Sequence, residues 1–236
     1  MCQPLTVVAN HSDQAGILLV DKPQGITSFD VIRHLRREGG VAKAGHAGTL
    51  DPMATGLMIV LIGAATKQAD RFLKLDKCYR ATIQLGANSS TGDAEGELTP
   101  VSDRVPSPAE LDQAISHHTG LITQTPPAYS AIKIKGVAAY KRARRGEKVE
   151  IPSRQVTIHD LQILDFSYPN LAVSANVSSG TYIRTLAEDI GRQLGTGAYL
   201  TALRRLSIGD YTVEQAIKLD DVNPAAVSSH LMKPSP

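Results

Sequence analysis

The sequence predicts an α+β domain built on a central sheet, largely antiparallel or mixed, flanked by helices. Three observations carry this reading. Residues 78–85 alternate as a half-buried strand does, with Tyr79, Ala81, Ile83 and Leu85 on one face and Arg80, Thr82 and Gln84 on the other. Residues 155–167 and 171–178 read as two paired strands joined at Tyr168-Pro169-Asn170. Helical patterns fall between such strands without the strict βα alternation of a parallel sheet.

The elements follow in order. Residues 17–20 form a short apolar strand, and Asp21-Lys22-Pro23-Gln24-Gly25 a turn. Thr27 or Ser28 caps a helix whose apolar positions Phe29, Ile32 and Leu35 share helical spacing, and Gly39-Gly40 ends it. Residues 57–62 are a buried strand by length and bulk, and 66–75 a helix. Residues 86–106, rich in Gly, Asn, Ser, Thr, Asp and Pro, read as an exposed loop. Ser107-Pro108-Ala109-Glu110 is a capping box with proline at the first helical position, opening a helix that stops near Gly120. Residues 124–154 are punctuated by Thr125-Pro126-Pro127 and Ile151-Pro152, as an insertion projecting from the core would be. Residues 182–194 form a strong helix, 203–208 a strand, and Thr212-Val213-Glu214-Gln215 opens a last short helix. The expected organisation is a leader over 1–15, one domain over 16–222 and a short tail over 223–236.

Composition narrows the function. With 236 residues and 42% hydrophobic content the chain can bury a real core. No apolar run is long enough to span a membrane, since the longest ends at Gly63. The N-terminus lacks a basic region followed by an apolar stretch, so no signal peptide is expected and the cytoplasm is the default compartment. Two cysteines, no cysteine-pair motif and no His-x-x-x-His spacing give no metal site. No Gly-x-Gly-x-x-Gly or phosphate-binding loop is present, so no nucleotide cofactor is expected. The net charge of +2 says little, but Lys133, Lys135, Lys141, Arg142, Arg144, Arg145 and Lys148 crowd one segment opposed only by Glu147. Such a cluster attracts phosphate or is simply a solvated face; the two readings weigh equally.

The chemistry concentrates at residues 45–56, where Asp51 sits in a loop of glycine, alanine and threonine ahead of the 57–62 strand. Small residues admit a ligand or a second backbone closely, and a carboxylate held there against a rigid strand suits catalysis. Asp-Pro alone favours a plain turn whose carboxylate caps its own loop. Arg184, at the start of the 182–194 helix, can reach across a cleft to a carboxylate or pair with Glu188 one turn on.

Taken together, these segments resemble the TruB family of tRNA pseudouridine synthases. Lys22 to Ser28 resembles the family's first motif, and 45–56 its catalytic motif, with the aspartate at Asp51. Lys77-Cys78-Tyr79 resembles the strand of its active-site tyrosine, and 180–189 the motif of its arginine, here Arg184. Leu203-Arg204-Arg205 resembles a later signature, though Ala198-Tyr199 stands where many relatives have Ala-His. Pro126 to Ala131 with Lys135-Gly136 resembles the root of an RNA-gripping thumb. The match runs in order from about Gly16 to Val222.

The resemblance implies the pseudouridine synthase fold with an inserted basic thumb and without a C-terminal PUA-like module. It also implies cofactor-free, metal-free isomerisation of uridine to pseudouridine at position 55 in the T-loop of tRNA. The target base would be flipped from its stack. Asp51, Tyr79 and Arg184 would form the catalytic set. RNA contacts are expected from Lys22, His46, Tyr182, Leu203, Lys133, Lys135, Arg142, Arg144 and Arg145. For His46 a structural role in its own loop stands beside a role filling the gap left in the RNA; for Lys22 support of the Asp51 loop stands beside a phosphate contact. The partner is the T-arm of tRNA, with no membrane and no obligate protein partner. Two alternatives are a non-catalytic tRNA-binding or folding protein, and an RNA-guided synthase subunit.

Overall fold

A computed structural model describes residues 15–130, 132–134, 136–143, 145–147 and 149–233. The expected leader therefore lies almost wholly outside the described residues. Strands β1 (Gly16–Lys22), β2 (Ala44–His46), β3 (Thr55–Ile62), β4 (Lys77–Leu85), β5 (Ala87–Ser89), β6 (Leu98–Pro100) and β7 (Gly120–Gln124) occupy the first half of the chain. They are followed by β8 (Lys133–Ile134), β9 (Val137–Ala138), β10 (Arg154–Ser167), β11 (Asn170–Val177), β12 (Ala198–Ile208), β13 (Tyr211–Thr212) and β14 (Ile217–Lys218). The helices are α1 (Ser28–Glu38), α2 (Ala69–Leu73), α3 (Pro108–His117), α4 (Ala139–Ala143), α5 (Ile183–Leu194) and α6 (Pro224–His230).

Among the described residues ten strands form one sheet along the path β14-β1-β3-β12-β4-β11-β10-β7, with β2 beside β3 and β13 beside β12. Only β1–β14 and β3–β12 are parallel; every other pair is antiparallel. Of the two forms expected from the sequence, largely antiparallel or mixed, the sheet takes the mixed one.

β1 and β3 are buried on both faces, which is why they read as unbroken apolar runs. Leu18, Val20, Met58 and Val60 join the main core under α1, α3 and α5, while Ile17, Leu19, Leu57, Ile59 and Leu61 join a second core with Phe72 and Val213. β4 keeps one face partly open, so it alternates as expected.

α1 starts as its capping box dictates, with Thr27 and Asp30 bonding each other's backbone, and Gly39 ends it. Its buried face is Ser28, Val31, Ile32 and Leu35; Phe29, expected on that face, is 57% exposed. Counting back from Ile32 by three picks Phe29 as readily as Ser28 by four; Ser28 lies inward because its hydroxyl is bonded to Leu50. The helix expected over 66–75 is instead a 3-10 turn (Gly63–Gln68) leading into the five-residue α2. The 86–106 loop contains the β5–β6 hairpin, pairing Ala87 with Pro100 and Ser89 with Leu98. α3 begins at its Ser107–Glu110 capping box. The Thr212 box opens only a 3-10 turn. From Asn223 the chain forms α6, and Met232 exchanges backbone hydrogen bonds with Ile17 of β1.

Candidate active site

The loop between β2 and β3 is held from below on several sides. The Ser28 hydroxyl accepts from the Leu50 amide at 2.9 Å and donates to its carbonyl at 3.1 Å, pinning the residue before Asp51. The Ala54 amide closes a turn on the Asp51 carbonyl at 3.1 Å. The Pro52 carbonyl accepts the Gly25 amide at 2.8 Å and the Lys22 ammonium at 3.3 Å. A side chain at Gly56 would place its Cβ 2.2 Å from the Arg205 carbonyl, and φ there is +102°, so only glycine serves where the loop re-enters the sheet. The Asp-Pro step is thus a turn, and its carboxylate is free of it.

That carboxylate meets Arg184. The guanidinium Nε lies 3.1 Å from Asp51 Oδ2; Arg184 is 5% exposed at the side chain and Asp51 35%. The arginine takes the longer of the two reaches open to it from sequence, across the cleft instead of along α5 to Glu188. Its other nitrogens donate to the Thr91 carbonyl and the Tyr129 carbonyl, both at 2.7 Å, and one lies 3.5 Å from Asp93 Oδ2. One side chain therefore ties the Asp51 loop, the β5–β6 hairpin and the root of the inserted segment together. Burial is the main reason the Asp51 carboxyl lies above the ordinary carboxylate range; Asp93 adds to the rise, while Arg184 and Lys22 oppose it. Arg184 holds the ionised form against burial without winning outright.

Asp93 was not singled out from sequence. It is buried, its Oδ1 accepts from the Thr91 hydroxyl at 2.5 Å and the Glu95 amide at 3.1 Å, and its other oxygen faces Arg184. In a Gly- and Asn-rich stretch it reads as one more loop acid, and no local signal marks it. Gln124 was missed too. Buried at the end of β7, it accepts from the Tyr182 amide at 2.7 Å and donates to the Tyr182 carbonyl at 3.1 Å.

Tyr79 lies on the inward face of β4, packed with the main core. It stands opposite Arg205 of β12, which stands opposite Gly56 of β3. Tyr79 and the end of the Asp51 loop therefore occupy the same rung of the sheet, two strands apart.

The expected RNA contacts divide. Lys22 is fully enclosed, and its ammonium donates to the carbonyls of Pro23 (2.9 Å), Ile26 (2.8 Å) and Pro52. The contact with the Pro52 carbonyl joins its turn to the Asp51 loop. Burial lowers its pKa to about 8, the Asp51 charge raising it and Arg205 lowering it further. Leu203 belongs to the main core. His46 is half-buried beside the loop, its Nδ1 enclosed without a partner. Burial first, then Arg205, lowers its pKa, so it is neutral at pH 7. Tyr182 is half-exposed as the residue before α5, with the Arg154 guanidinium 5.4 Å from its ring centre. In the inserted segment β8 and β9 pair as a hairpin ahead of α4. Arg142 and Arg145 lie 3.3 Å and 4.0 Å from Glu147. The Lys133 side chain, Lys135 and Arg144 lie outside what is described.

Among the described residues no group of three or more His, Cys, Asp or Glu side chains is placed to hold a metal ion, and no helix is long and apolar enough to cross a membrane.

Two consecutive family models match the chain: the TruB family pseudouridylate synthase N-terminal domain over residues 36–183, and the tRNA pseudouridylate synthase B C-terminal domain over 184–233. Their boundary falls at the start of α5, beside Arg184. The chain is 46% identical over 220 residues to tRNA pseudouridine synthase B of Thermobifida fusca, covering 88% of this chain and 74% of that protein. To the protein of the same name from Cupriavidus pinatubonensis it is 48% identical over 218 residues, covering 89% and 68%. Among solved structures, a chain in the crystal structure of a Cbf5-Nop10-Gar1 complex superposes with a TM-score of 0.68 at 28% identity, covering 87% of this chain. This chain spans about half the length of that one, 53%.

Proposed function

The chain belongs to the TruB family of pseudouridylate synthases, and from that premise we propose that it converts uridine to pseudouridine at position 55 in the T-loop of tRNA, with Asp51 as the reacting carboxylate. It is an isomerase acting on tRNA: the link between uracil and ribose moves from N1 to C5, so no atom is gained or lost. The observation that carries the assignment is the 3.1 Å contact between Arg184 Nε and Asp51 Oδ2, with the carboxylate a third exposed and the arginine enclosed. A protein that only bound or folded tRNA would have no use for a carboxylate held ionised against burial at the cleft surface.

In this reading the Asp51 oxygen attacks C6 of uracil or C1′ of the ribose, or takes a ribose proton; each needs the ionised form. Tyr79, on the same rung two strands away, would face the flipped uracil and assist loss of the C5 proton. Bringing the uridine out of its stack costs a few kcal/mol, which phosphate contacts around the cleft repay. Arg184 joins that chemistry to the inserted thumb through the Tyr129 carbonyl, so the segment that grips RNA and the carboxylate that reacts share one anchor. No obligate protein partner is required by this reading, and its place of action is the cytoplasm. The direct test is incubation of the purified protein with unmodified tRNA followed by chemical mapping of pseudouridine; no product at position 55 would sink the proposal.

Two further outcomes separate support from RNA contact. Lys22→Met strips the donor from three carbonyls, and unpaired carbonyls of this kind cost about 1–3 kcal/mol, read as a lower denaturant midpoint. The slope of tRNA affinity against salt should not change; a shallower slope would make Lys22 a phosphate contact after all. Because its folded pKa of about 8 lies below the ordinary 10.5, the unfolded chain binds more protons between those values. Stability from this group therefore rises with pH across that window, and the rise should vanish in Lys22→Met. Neutralising Arg142, Arg144 and Arg145 together should do the opposite: weaken binding and flatten the log–log salt slope by roughly 0.7–0.9 per lost phosphate contact, with turnover at saturating tRNA largely kept. An unchanged slope would remove the thumb from the RNA interface.

A further inference from the structure

We propose that Arg205 is a positioning residue that indexes the Asp51 loop to the strand of Tyr79, an inference that rests on the reaction proposed above. Arg205 is 1% exposed, and its described hydrogen bonds go to carbonyls. Its Nε donates to the Leu57 carbonyl at 2.7 Å and a terminal nitrogen to the Gly48 carbonyl at 3.3 Å. Those two carbonyls bracket residues 49–56, the segment that carries Asp51. One rigid guanidinium thus spans both ends of the loop from below.

The backbone of Arg205 completes the link. In β12 it pairs with Gly56 of β3 on one side and with Tyr79 of β4 on the other. The close approach at Gly56, where a Cβ would fall 2.2 Å from the Arg205 carbonyl, leaves the loop end no room to slide. Loop ends, loop exit and the Tyr79 rung are therefore all referenced to a single residue.

Stability alone does not explain an arginine here. A buried guanidinium whose described hydrogen bonds go to carbonyls keeps much of its desolvation cost, which offsets what those bonds contribute. Lys22 and Lys77, also buried, are both lowered to about 8 with Arg205 contributing, so its charge burdens its neighbours as well. What the planar fork supplies and an apolar side chain cannot is a fixed spacing between two carbonyls. Errors of about 1 Å in the placement of a reacting group can lower rates by about 100-fold, so such a spacer acts on the chemical step.

The test begins with single-turnover conversion of unmodified tRNA by the wild-type protein. Failure there would overturn the enzymatic reading itself and leave Arg205 without a reaction to serve. With an active wild type, Arg205→Lys keeps the charge but reaches one carbonyl only. Its single-turnover rate is expected to fall by about 100-fold, while tRNA affinity stays within about twofold and the circular dichroism spectrum is unchanged. A wild-type rate would overturn the proposal, and so would rate and affinity falling together in step with the melting temperature. A second measurement does not depend on the variant folding. In the ¹⁵N-labelled wild type the Arg205 Nε–H should exchange with water far more slowly than the Nε–H groups of the exposed arginines; rapid exchange would mean that the staple is not made in solution.

Discussion

Asp51→Asn is expected to bring pseudouridine formation below detection while tRNA affinity and the far-UV spectrum stay as in the wild type. The amide keeps the shape of the side chain and its turn with Ala54 but cannot supply an anionic oxygen. Its melting temperature should equal or exceed that of the wild type. The sign follows from the direction of the pKa: a carboxyl raised above its unfolded value contributes stability at low pH and loses it as pH rises through the folded value, so ionised Asp51 costs stability at neutrality. Arg184 keeps Asp93 and two carbonyls when Asp51 loses its charge, which is why the fold tolerates the change. The same direction sets the pH profile. Turnover should fall on acidification with a midpoint above 3.8, the ordinary value for an aspartate. Product from purified Asp51→Asn, or a melting temperature well below that of the wild type, would contradict this account.

How much of the molecule could be read in advance depends on where the deciding interaction lies. Helix starts at Thr27 and Ser107 were legible because a capping box is local chemistry, three residues wide. The β4 alternation and the apolar runs of β1 and β3 were legible because strand burial repeats along the chain. Phe29 misled because an amphipathic spacing leaves the first turn ambiguous, and the bond between Ser28 and Leu50, 22 residues apart, decides it. The β5–β6 hairpin is three residues long on each side and rich in turn formers, so its pairing has no periodic signature. α6 owes its place to contact with β1 at the other end of the chain.

The site shows the same division. Asp51, Tyr79 and Arg184 could be named together because each sits in a motif that resembles a known family, not because composition or spacing pairs them; the structure pairs Asp51 with Arg184. Their partners were not. Asp93 acquires meaning only when α5 brings Arg184 against the hairpin, 91 positions away in sequence. Lys22 looked like a basic residue in a turn, and its enclosure by carbonyls from both its own turn and the Asp51 loop is a tertiary fact. Arg205 sat in a recognisable segment but carried no role until the strand order β3-β12-β4 placed it between the other two.

Arg184→Lys should lower turnover by about 10²–10³-fold while tRNA affinity changes little. Loss of one preorganised donor in an enclosed site has an effect of that size, and Arg184 makes four contacts at once. Its planar fork reaches Asp51, the Thr91 and Tyr129 carbonyls and the edge of Asp93. A lysine presents one ammonium and can satisfy only part of that set. Affinity is spared because a side chain 5% exposed has no surface to offer a phosphate; equal losses in rate and affinity would reverse that conclusion. A neutral replacement tests the electrostatics separately. Arg184→Gln removes the strongest charge holding Asp51 ionised and leaves Asp93 facing it, so the Asp51 carboxyl should rise further. Its residual activity should fall away at a higher pH than in the wild type, and Arg184→Lys, which keeps the charge, should lie between the two. An acid limb that does not move in Arg184→Gln would mean that the 3.1 Å pair does not govern the ionisation of Asp51, and the chemical role of Arg184 would fall with it.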